Sequence, residues 1–177
     1  MGEPTPPKFY IKSASTTEDL EHTRELFTAY ANSLPIDLTF QSFAAELSSL
    51  PGLYSPPTGA IFLAYLNPAS DSSDTQSGPI GVIALRPLPH IPPEARICEM
   101  KRLYLAPESR GLGIGRKLVE EVIKEATRLG YLEMRLDTLK SMVGARALYN
   151  GVGFVEIERY YDNPFEGTKF LSKDLRN

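Results

Sequence analysis

The stretch Arg110-Gly111-Leu112-Gly113-Ile114-Gly115-Arg116-Lys117 follows an apolar, strand-like run at residues 103–105 and opens an apolar stripe typical of a helix. Its alternating glycines let the backbone approach a ligand closely and leave the N–H groups accessible. A helix N-terminus carries about half a positive charge, which suits a phosphate. Since Arg110, Arg116 and Lys117 add cations at the same place, the stretch predicts a cradle for a pyrophosphate.

Two better-known glycine loops do not fit this stretch. A P-loop requires Gly-Lys followed by Ser or Thr, whereas Lys117 follows Arg116 and precedes Leu118. A dinucleotide-binding fingerprint requires a third glycine where this chain has Arg116. The pattern instead resembles the acetyl-CoA loop of the GNAT superfamily of N-acyltransferases, in which Arg110, Gly113 and Gly115 occupy the matching positions. An ordinary glycine-rich turn before a helix is the alternative interpretation.

A second motif supports the same resemblance. The segment from Ala145 to Phe154 is similar to the family signature Ala-x-x-Leu-Tyr-x-x-x-Gly-Phe, with Leu148, Tyr149 and Gly153 also matching. The resemblance implies that Tyr149 protonates the departing thiolate of acetyl-CoA. This is chemically sensible because a phenol and a thiol have similar pKa values. The alternative is that Tyr149 only packs its ring and forms a local hydrogen bond.

The resemblance further implies a catalytic carboxylate at Glu99, in the strand before the glycine loop, which accepts the proton of the amine through a water molecule. A free alkyl amine has a pKa of roughly 10, so it must lose a proton before it attacks a thioester. An ion pair of Glu99 with neighbouring Lys101 or Arg102 is an equally good interpretation.

The same strand is expected to hold the pantetheine arm. The resemblance implies that main-chain groups near Leu103 and Leu105 bind the arm and polarise the thioester carbonyl. Ser141 stands where the family often has asparagine, so its contact with the coenzyme is a weaker expectation. The residues expected to bind the coenzyme are Leu103, Tyr104, Leu105, Arg110, Gly111, Leu112, Gly113, Ile114, Gly115, Arg116, Lys117, Thr138 and Ser141.

An irregularity in this strand indicates a β-bulge. Cys98 and Met100 are apolar at even positions, whereas Leu103 and Leu105 are apolar at odd positions. Because strand side chains alternate between faces, the pattern changes phase near residues 101–102, as one extra residue would cause. The resemblance implies the same feature, a fourth strand that is bulged and splayed from its neighbour.

The segment 160–167 combines a turn signal with candidate substrate contacts. A doubled tyrosine in a strand places one ring on each face, so either Tyr160 or Tyr161 is expected to reach the substrate, with Asn163 nearby. The alternative is that Asp-Asn-Pro forms only a turn between two strands.

Composition sets the broad class. With 177 residues, the chain is expected to form a loose tail over 1–8 and one domain over 9–175. A net charge of −3 argues against nucleic-acid binding. The single cysteine, Cys98, is expected to be a core residue in a reducing compartment. His22 and His90 lack metal-ligand spacing, so no metal is expected. Without an apolar span or a signal-like start, the chain is expected to be cytoplasmic, with no membrane contact.

Hydrophobic periodicity completes the expected fold. It predicts a first helix capped by Ser15 and Glu18, a polar loop over 67–79, and final strands over 152–161 and 168–175. The implied fold class is α/β (α+β), a single GNAT domain with a mixed, mostly antiparallel sheet of six or seven strands and about four helices.

The expected activity is acetyl transfer from acetyl-CoA to a primary amine of a small molecule, by direct attack in a ternary complex. Two alternatives stand beside it, acetylation of proteins or peptides and a non-catalytic acyl-CoA-binding module on the same fold. A homodimer is a further expectation from the resemblance.

Overall fold

One sheet organises the molecule. The computed structural model describes residues 8–67 and 78–176, and in these ranges seven strands follow the order β1-β2-β3-β4-β5-β7-β6. Every neighbouring pair is antiparallel except β4 and β5, which are parallel. The strands are β1 (Phe9–Ser13), β2 (Ala60–Leu66), β3 (Gly81–Pro87), β4 (Ile97–Leu105), β5 (Glu133–Leu139), β6 (Val155–Ile157) and β7 (Thr168–Asp174).

Four α-helices flank the sheet within the described ranges. They are α1 (Thr17–Ser33), α2 (Phe43–Ser48), α3 (Ile114–Arg128) and α4 (Val143–Gly151). The expected mixed, mostly antiparallel sheet with four helices is therefore confirmed. The predicted tail over 1–8 and the predicted polar loop over 67–79 fall almost entirely outside the described residues.

The sheet separates two apolar cores. On β3, Ile83 and Leu85 pack with the apolar stripe of α3, whereas Val82 and Ala84 pack with Phe27 of α1. This alternation is the period-two pattern of a strand that is buried on both faces. No helix in the described ranges is long and apolar enough to cross a membrane.

The predicted bulge is present in β4. Val82 pairs with Tyr104 and Ala84 pairs with Lys101, so two β4 residues oppose the single residue Ile83. Arg102, one of the two, has a φ of 60°. Cys98, Met100, Leu103 and Leu105 consequently all contribute to the core beside α3, although their sequence parity changes. The bulge predicted near residues 101–102 is confirmed.

The predicted splay of β4 from β5 is also present, and it begins after Glu99, before the bulge. The parallel pairing with β5 covers only Ile97 to Glu99, opposite Glu133 to Arg135. From Glu99 onward β4 keeps its partner β3 but leaves β5, which continues along β7. The divergence opens a gap in the middle of the sheet.

Two predicted boundaries are wrong. The first helix is capped by Thr16 and Asp19, not by Ser15 and Glu18, because Thr16 Oγ1 accepts from the Asp19 N–H while the Asp19 carboxylate accepts from the Thr16 N–H. The strand expected over 152–161 is only Val155–Ile157, because the chain then turns away through bends.

Candidate active site

The gap between β4 and β5 contains a narrow void of about 40 Å³, which we call the splay cavity. Leu103 lines it from β4, Asp137 and Thr138 from β5, Tyr149 from α4, and Tyr30 from α1. The sequence predictions for Leu103, Thr138 and Tyr149 thus converge on one cavity. Ser141 is exposed and borders a neighbouring depression with Lys140 and Phe165 instead.

The β4 edge that faces the gap offers unpaired main-chain groups. Ala106 donates its N–H to the Ile80 carbonyl at 2.8 Å. Because antiparallel strands alternate between bonded and non-bonded pairs, Tyr104 directs its main-chain groups toward β3. Leu103 and Leu105 therefore direct theirs toward the gap, where an extended ligand can pair with them as an additional strand would.

The glycine loop ends at the N-terminus of α3. Gly111 and Gly113 have φ values of 78° and 79°, and a Cβ on either would meet nothing within 4 Å. The first hydrogen bond of the helix runs from the Lys117 N–H to the Gly113 carbonyl, so the N–H groups of Ile114, Gly115 and Arg116 lack helical partners. This arrangement forms an open concavity of main-chain donors that suits an anion.

Gly115 differs from the other two glycines of the loop. It is buried, and a Cβ at this position would lie 3.1 Å from Leu105 Cδ1. Its small size therefore serves the close packing of α3 on β4, which the sequence argument about ligand approach did not foresee. Its N–H still belongs to the first helical turn.

The cations around the loop are only partly free. Arg116 and Lys117 both bind Glu120, at 3.0 Å and 2.7 Å, on the exposed surface of α3. Arg110 is exposed and forms no ion pair with any residue in the described part of the chain. The loop thus carries three cations, two of which are paired with Glu120, and Leu112 stands exposed at its tip.

Tyr149 is fixed by packing and faces the splay cavity. Its side chain is 7% exposed, and its ring meets Phe154 edge-on at 6.0 Å between centroids. Gly153, with a φ of 95°, turns the chain so that Phe154 folds back onto α4. Burial raises the pKa of the Tyr149 hydroxyl, and the nearby charge of Asp137 adds to the rise. The phenol consequently keeps its proton across the physiological range.

Glu99 is held in a buried ion pair, as the alternative interpretation allowed, but with an unforeseen partner. Its carboxylate is 2% exposed, and Oε2 accepts from Arg86 Nε and Nη2 at 2.9 Å and 2.8 Å. The Tyr160 hydroxyl donates to Oε1 at 2.9 Å, and Lys101 Nζ lies 3.9 Å away from that oxygen. Arg102 does not contribute, because it pairs with Glu46 at 2.7 Å.

Glu99 lines a second cavity of about 440 Å³, which we call the outer pocket. Its remaining walls are formed by Phe40, Gln41, Ser42, Arg86, Leu88, Pro89, His90, Ile91, Lys101, Tyr160 and Tyr161. Among the residues that the structure describes, the splay cavity and the outer pocket share Phe40, Gln41 and Lys101. These three residues therefore form the partition between them.

The expectation that Tyr160 and Tyr161 lie on opposite faces of a strand is wrong. Both residues lie in a bend, and their rings pack against each other and against Phe170 of β7. Both nonetheless line the outer pocket. Asn163 lines the splay cavity, and its Nδ2 donates to the Tyr161 hydroxyl at 2.9 Å.

A buried polar network at the partition was missed by the sequence analysis. Lys101 Nζ donates to Asp137 Oδ1 at 3.1 Å and to Gln41 Oε1 at 3.3 Å. Gln41 Nε2 donates to the Tyr161 hydroxyl at 3.1 Å. Burial alone would raise the pKa of Asp137, but Lys101 and a hydrogen bond from Tyr161 outweigh it, so this pKa lies below its usual range. The alternation of charged and apolar residues in β4 and β5 was the only available signal.

Cys98 lies in the core, as expected from the sequence. Cys98 is buried, and burial raises the pKa of its thiol, which makes it a packing residue rather than a nucleophile. Within the described ranges, no group of three or more His, Cys, Asp or Glu side chains is arranged to hold a metal ion.

Comparison with known proteins places these features in a family. The sequence model described as Acetyltransferase (GNAT) family matches residues 21–154. An uncharacterised N-acetyltransferase of Schizosaccharomyces pombe is 34% identical over 96% of this chain and 97% of its own length. A GNAT-family acetyltransferase structure from Staphylococcus aureus superposes with a TM-score of 0.71 at 21% identity, covering 95% of this chain and 99% of that one. A Salmonella typhimurium protein solved with its cofactor acetyl-CoA has a TM-score of 0.66 at 16% identity, with 95% and 94% covered.

Proposed function

Because the chain belongs to the GNAT family of acetyltransferases and acts with acetyl-CoA, we propose that its acceptor is the primary amine of a small molecule. The amine attacks the thioester directly in a ternary complex. The observation that carries this proposal is the meeting of two cavities at one partition, the splay cavity with Tyr149 and the outer pocket with Glu99. A pocket of about 440 Å³ matches the size range of small-molecule sites, roughly 300–1,000 Å³.

The coenzyme is assigned to one continuous surface. The diphosphate lies against the loop from Arg110 to Lys117, as the free N–H groups at the start of α3 support. The pantetheine arm pairs with the open edge of β4 at Leu103 and Leu105 and passes Thr138. This route leads the thioester into the splay cavity beside Tyr149.

The reaction requires two proton transfers, one assigned to Tyr149 and the other to Glu99. Attack forms a bond between the amine nitrogen and the acetyl carbon, and the carbon–sulfur bond breaks. An N–H of β4 that faces the gap stabilises the oxyanion in between. Tyr149 gives its proton to the departing thiolate. Glu99 receives the proton of the amine through a water molecule at Oε1, the oxygen that Arg86 does not hold.

The cellular compartment of the reaction is proposed from the cysteine content of the chain. A chain whose one cysteine is Cys98 forms no internal disulfide, and on that ground we assign the reaction to the reducing cytoplasm.

A thiol-release assay tests the proposal. Acetyl-CoA is offered with amino acids, polyamines, aminoglycosides and peptides, while calorimetry measures the binding of acetyl-CoA separately. Release with a small amine supports the proposal. Release with peptides alone would replace it by protein or peptide acetylation, and the absence of release with every acceptor would contradict it.

A further inference from the structure

The charged groups of the outer pocket carry more positive than negative charge. Arg86 and Lys101 line it together with one carboxylate, Glu99. That carboxylate is already bound by Arg86 at 2.8 Å and by the Tyr160 hydroxyl at 2.9 Å. Asp137, the carboxylate that pairs with Lys101, lies on the other side of the partition and lines the splay cavity. Among the described residues that line the outer pocket, no carboxylate is therefore left for a second cation.

The outer pocket also has an apolar part. Leu88, Pro89 and Ile91 contribute to its lining beside the polar side chains of His90 and Ser42, and Phe40, Tyr160 and Tyr161 line the same space. Apolar and aromatic walls with a few polar groups bind the body of a ligand through its apolar surface. The pocket thus favours an acceptor whose body is a hydrocarbon chain or an aromatic ring.

Lys101 lies between the outer pocket and the splay cavity and lines both. Its side chain is 5% exposed, and its ammonium group is fixed by Asp137 Oδ1 at 3.1 Å, Gln41 Oε1 at 3.3 Å and Glu99 Oε1 at 3.9 Å. In the proposed reaction, an acceptor held in the outer pocket reaches the thioester past this ammonium group. A second positive charge on the acceptor then faces the ammonium group of Lys101 and the guanidinium group of Arg86, and like charges repel.

Resting on the proposed function, we propose that the acceptor is an amine with an apolar or aromatic body and no second positive charge, and that Lys101 excludes diamines and polyamines. Lys101 is then a specificity-determining residue of the acceptor site, not a group that takes part in the chemistry.

A matched pair of acceptors tests this class directly. Hexylamine and 1,6-diaminohexane have the same chain length, and they differ by one positive charge. We expect kcat/KM to be at least tenfold higher for hexylamine, and the dissociation constant measured by calorimetry in the presence of CoA to follow the same order. Equal or better use of the diamine would overturn the inference. If neither amine binds or reacts, the inference is also overturned, and turnover of another small amine would then leave the proposed function intact.

Variants of Lys101 test its part in the exclusion. Lys101→Met removes the charge at nearly constant length, and we expect the preference for hexylamine to fall by about tenfold. Lys101→Arg keeps the charge and should keep the preference. Because Lys101→Met removes the ion pair of the buried Asp137 carboxylate, Lys101→Met/Asp137→Asn is the second variant, with circular dichroism as the check on folding. Lys169→Met, in an exposed pair with Glu156 on the neighbouring strand, is the matched control. An unchanged preference in both charge-removing variants would refute the role of Lys101.

Discussion

At the scale of single residues, Tyr149 offers the sharpest test of the mechanism. Its buried phenol has a raised pKa and faces the splay cavity, so it is protonated when the thiolate departs. Tyr149→Phe is therefore expected to lower kcat by about 100-fold, the lower end of what general acids contribute. The affinity for acetyl-CoA should stay the same, as calorimetry can measure.

The control for this variant lies in the same cavity. Tyr30→Phe removes a second hydroxyl that borders the splay cavity from α1, and it should leave kcat within about twofold, far from the factor a general acid supplies. Equal losses in the two variants would show that the loss reflects packing, not proton transfer.

Glu99 allows a test that separates catalysis from structure. Glu99→Gln removes the proton acceptor, so turnover should come to depend on the fraction of amine that is already neutral. The deficit relative to the wild type is then expected to shrink as the pH rises toward the amine pKa of roughly 10. A purely structural Glu99, paired with Arg86, would give a deficit that does not vary with pH. Glu133→Gln, which affects the pair with Arg135 on β5, is the matched control in a pH-rate profile.

Residues carried by motifs could be located from the sequence, whereas partners in space could not. Tyr149 and Arg110 stand in recognisable local motifs, and Glu99 was singled out by its position in the strand before the glycine loop. Arg86, Gln41 and Asp137 reach the site from three separate segments, and pairing across the fold has no local signal. The wrong prediction that Tyr160 and Tyr161 lie on opposite faces of a strand has the same origin. Both rings pack against Phe170, a contact across the fold that the local sequence does not indicate.

At the scale of elements, the glycine loop and α3 act as a unit. Gly113 caps the helix with a φ of 79°, and a Cβ there would touch nothing. Gly113→Ala should therefore lower the free energy of unfolding by about 1–2 kcal/mol through backbone strain alone. It should also weaken acetyl-CoA binding by shifting the first N–H groups of α3. Urea unfolding and calorimetry measure the two effects.

Gly144 supplies the matched control for this change. A methyl group added there would likewise meet open space, but Gly144 lies in the first turn of α4 and its φ is not positive. Gly144→Ala is expected to raise the free energy of unfolding by about 0.4–1 kcal/mol, because alanine restricts the unfolded chain and fits the helix. Destabilisation by both variants would show that steric contact, not φ, is the cause.

The β4 bulge shows which features of an element can be predicted from the sequence and which cannot. The phase change in β4 located the extra residue, since parity is a local property of the sequence. What stabilises the bulge is not local. Arg102, with its φ of 60°, is anchored by Glu46 of α2 at 2.7 Å and by Gln41 at 3.0 Å. The short length of β6 could not be predicted from the sequence either, because it depends on where the chain bends away from the sheet.

At the scale of the whole molecule, the buried ion pairs link stability to pH. Burial opposes ionisation of Asp137 and Glu46, yet Lys101 and Arg102 hold both pKa values below the usual range. Unfolded aspartate and glutamate titrate at roughly 3.9 and 4.3. Because the folded-state pKa values are lower, these groups contribute full stability above the unfolded values and lose it as the pH falls through the folded ones.

The free energy of unfolding in urea is therefore expected to fall between pH 5 and pH 3 and to change little between pH 7 and pH 5. The variant Lys101→Met/Asp137→Asn lacks one of the two pairs, so its curve should be flatter over the acidic range. A decline that is identical in the wild type and the variant would contradict the assignment of this pH dependence to Asp137.

The early divergence of β4 from β5 has a consequence for the free protein. Interior strands of a sheet normally have a partner on each side, but within the described ranges the backbone at Leu103 and Leu105 lies beside β3 and has no strand on the side of β5. An unpaired strand edge can form hydrogen bonds with a strand of another molecule as well as with the arm of a cofactor. In the proposed position of the pantetheine arm, coenzyme A covers this strand edge, so we expect it to slow aggregation of the protein, as light scattering with and without the coenzyme would measure.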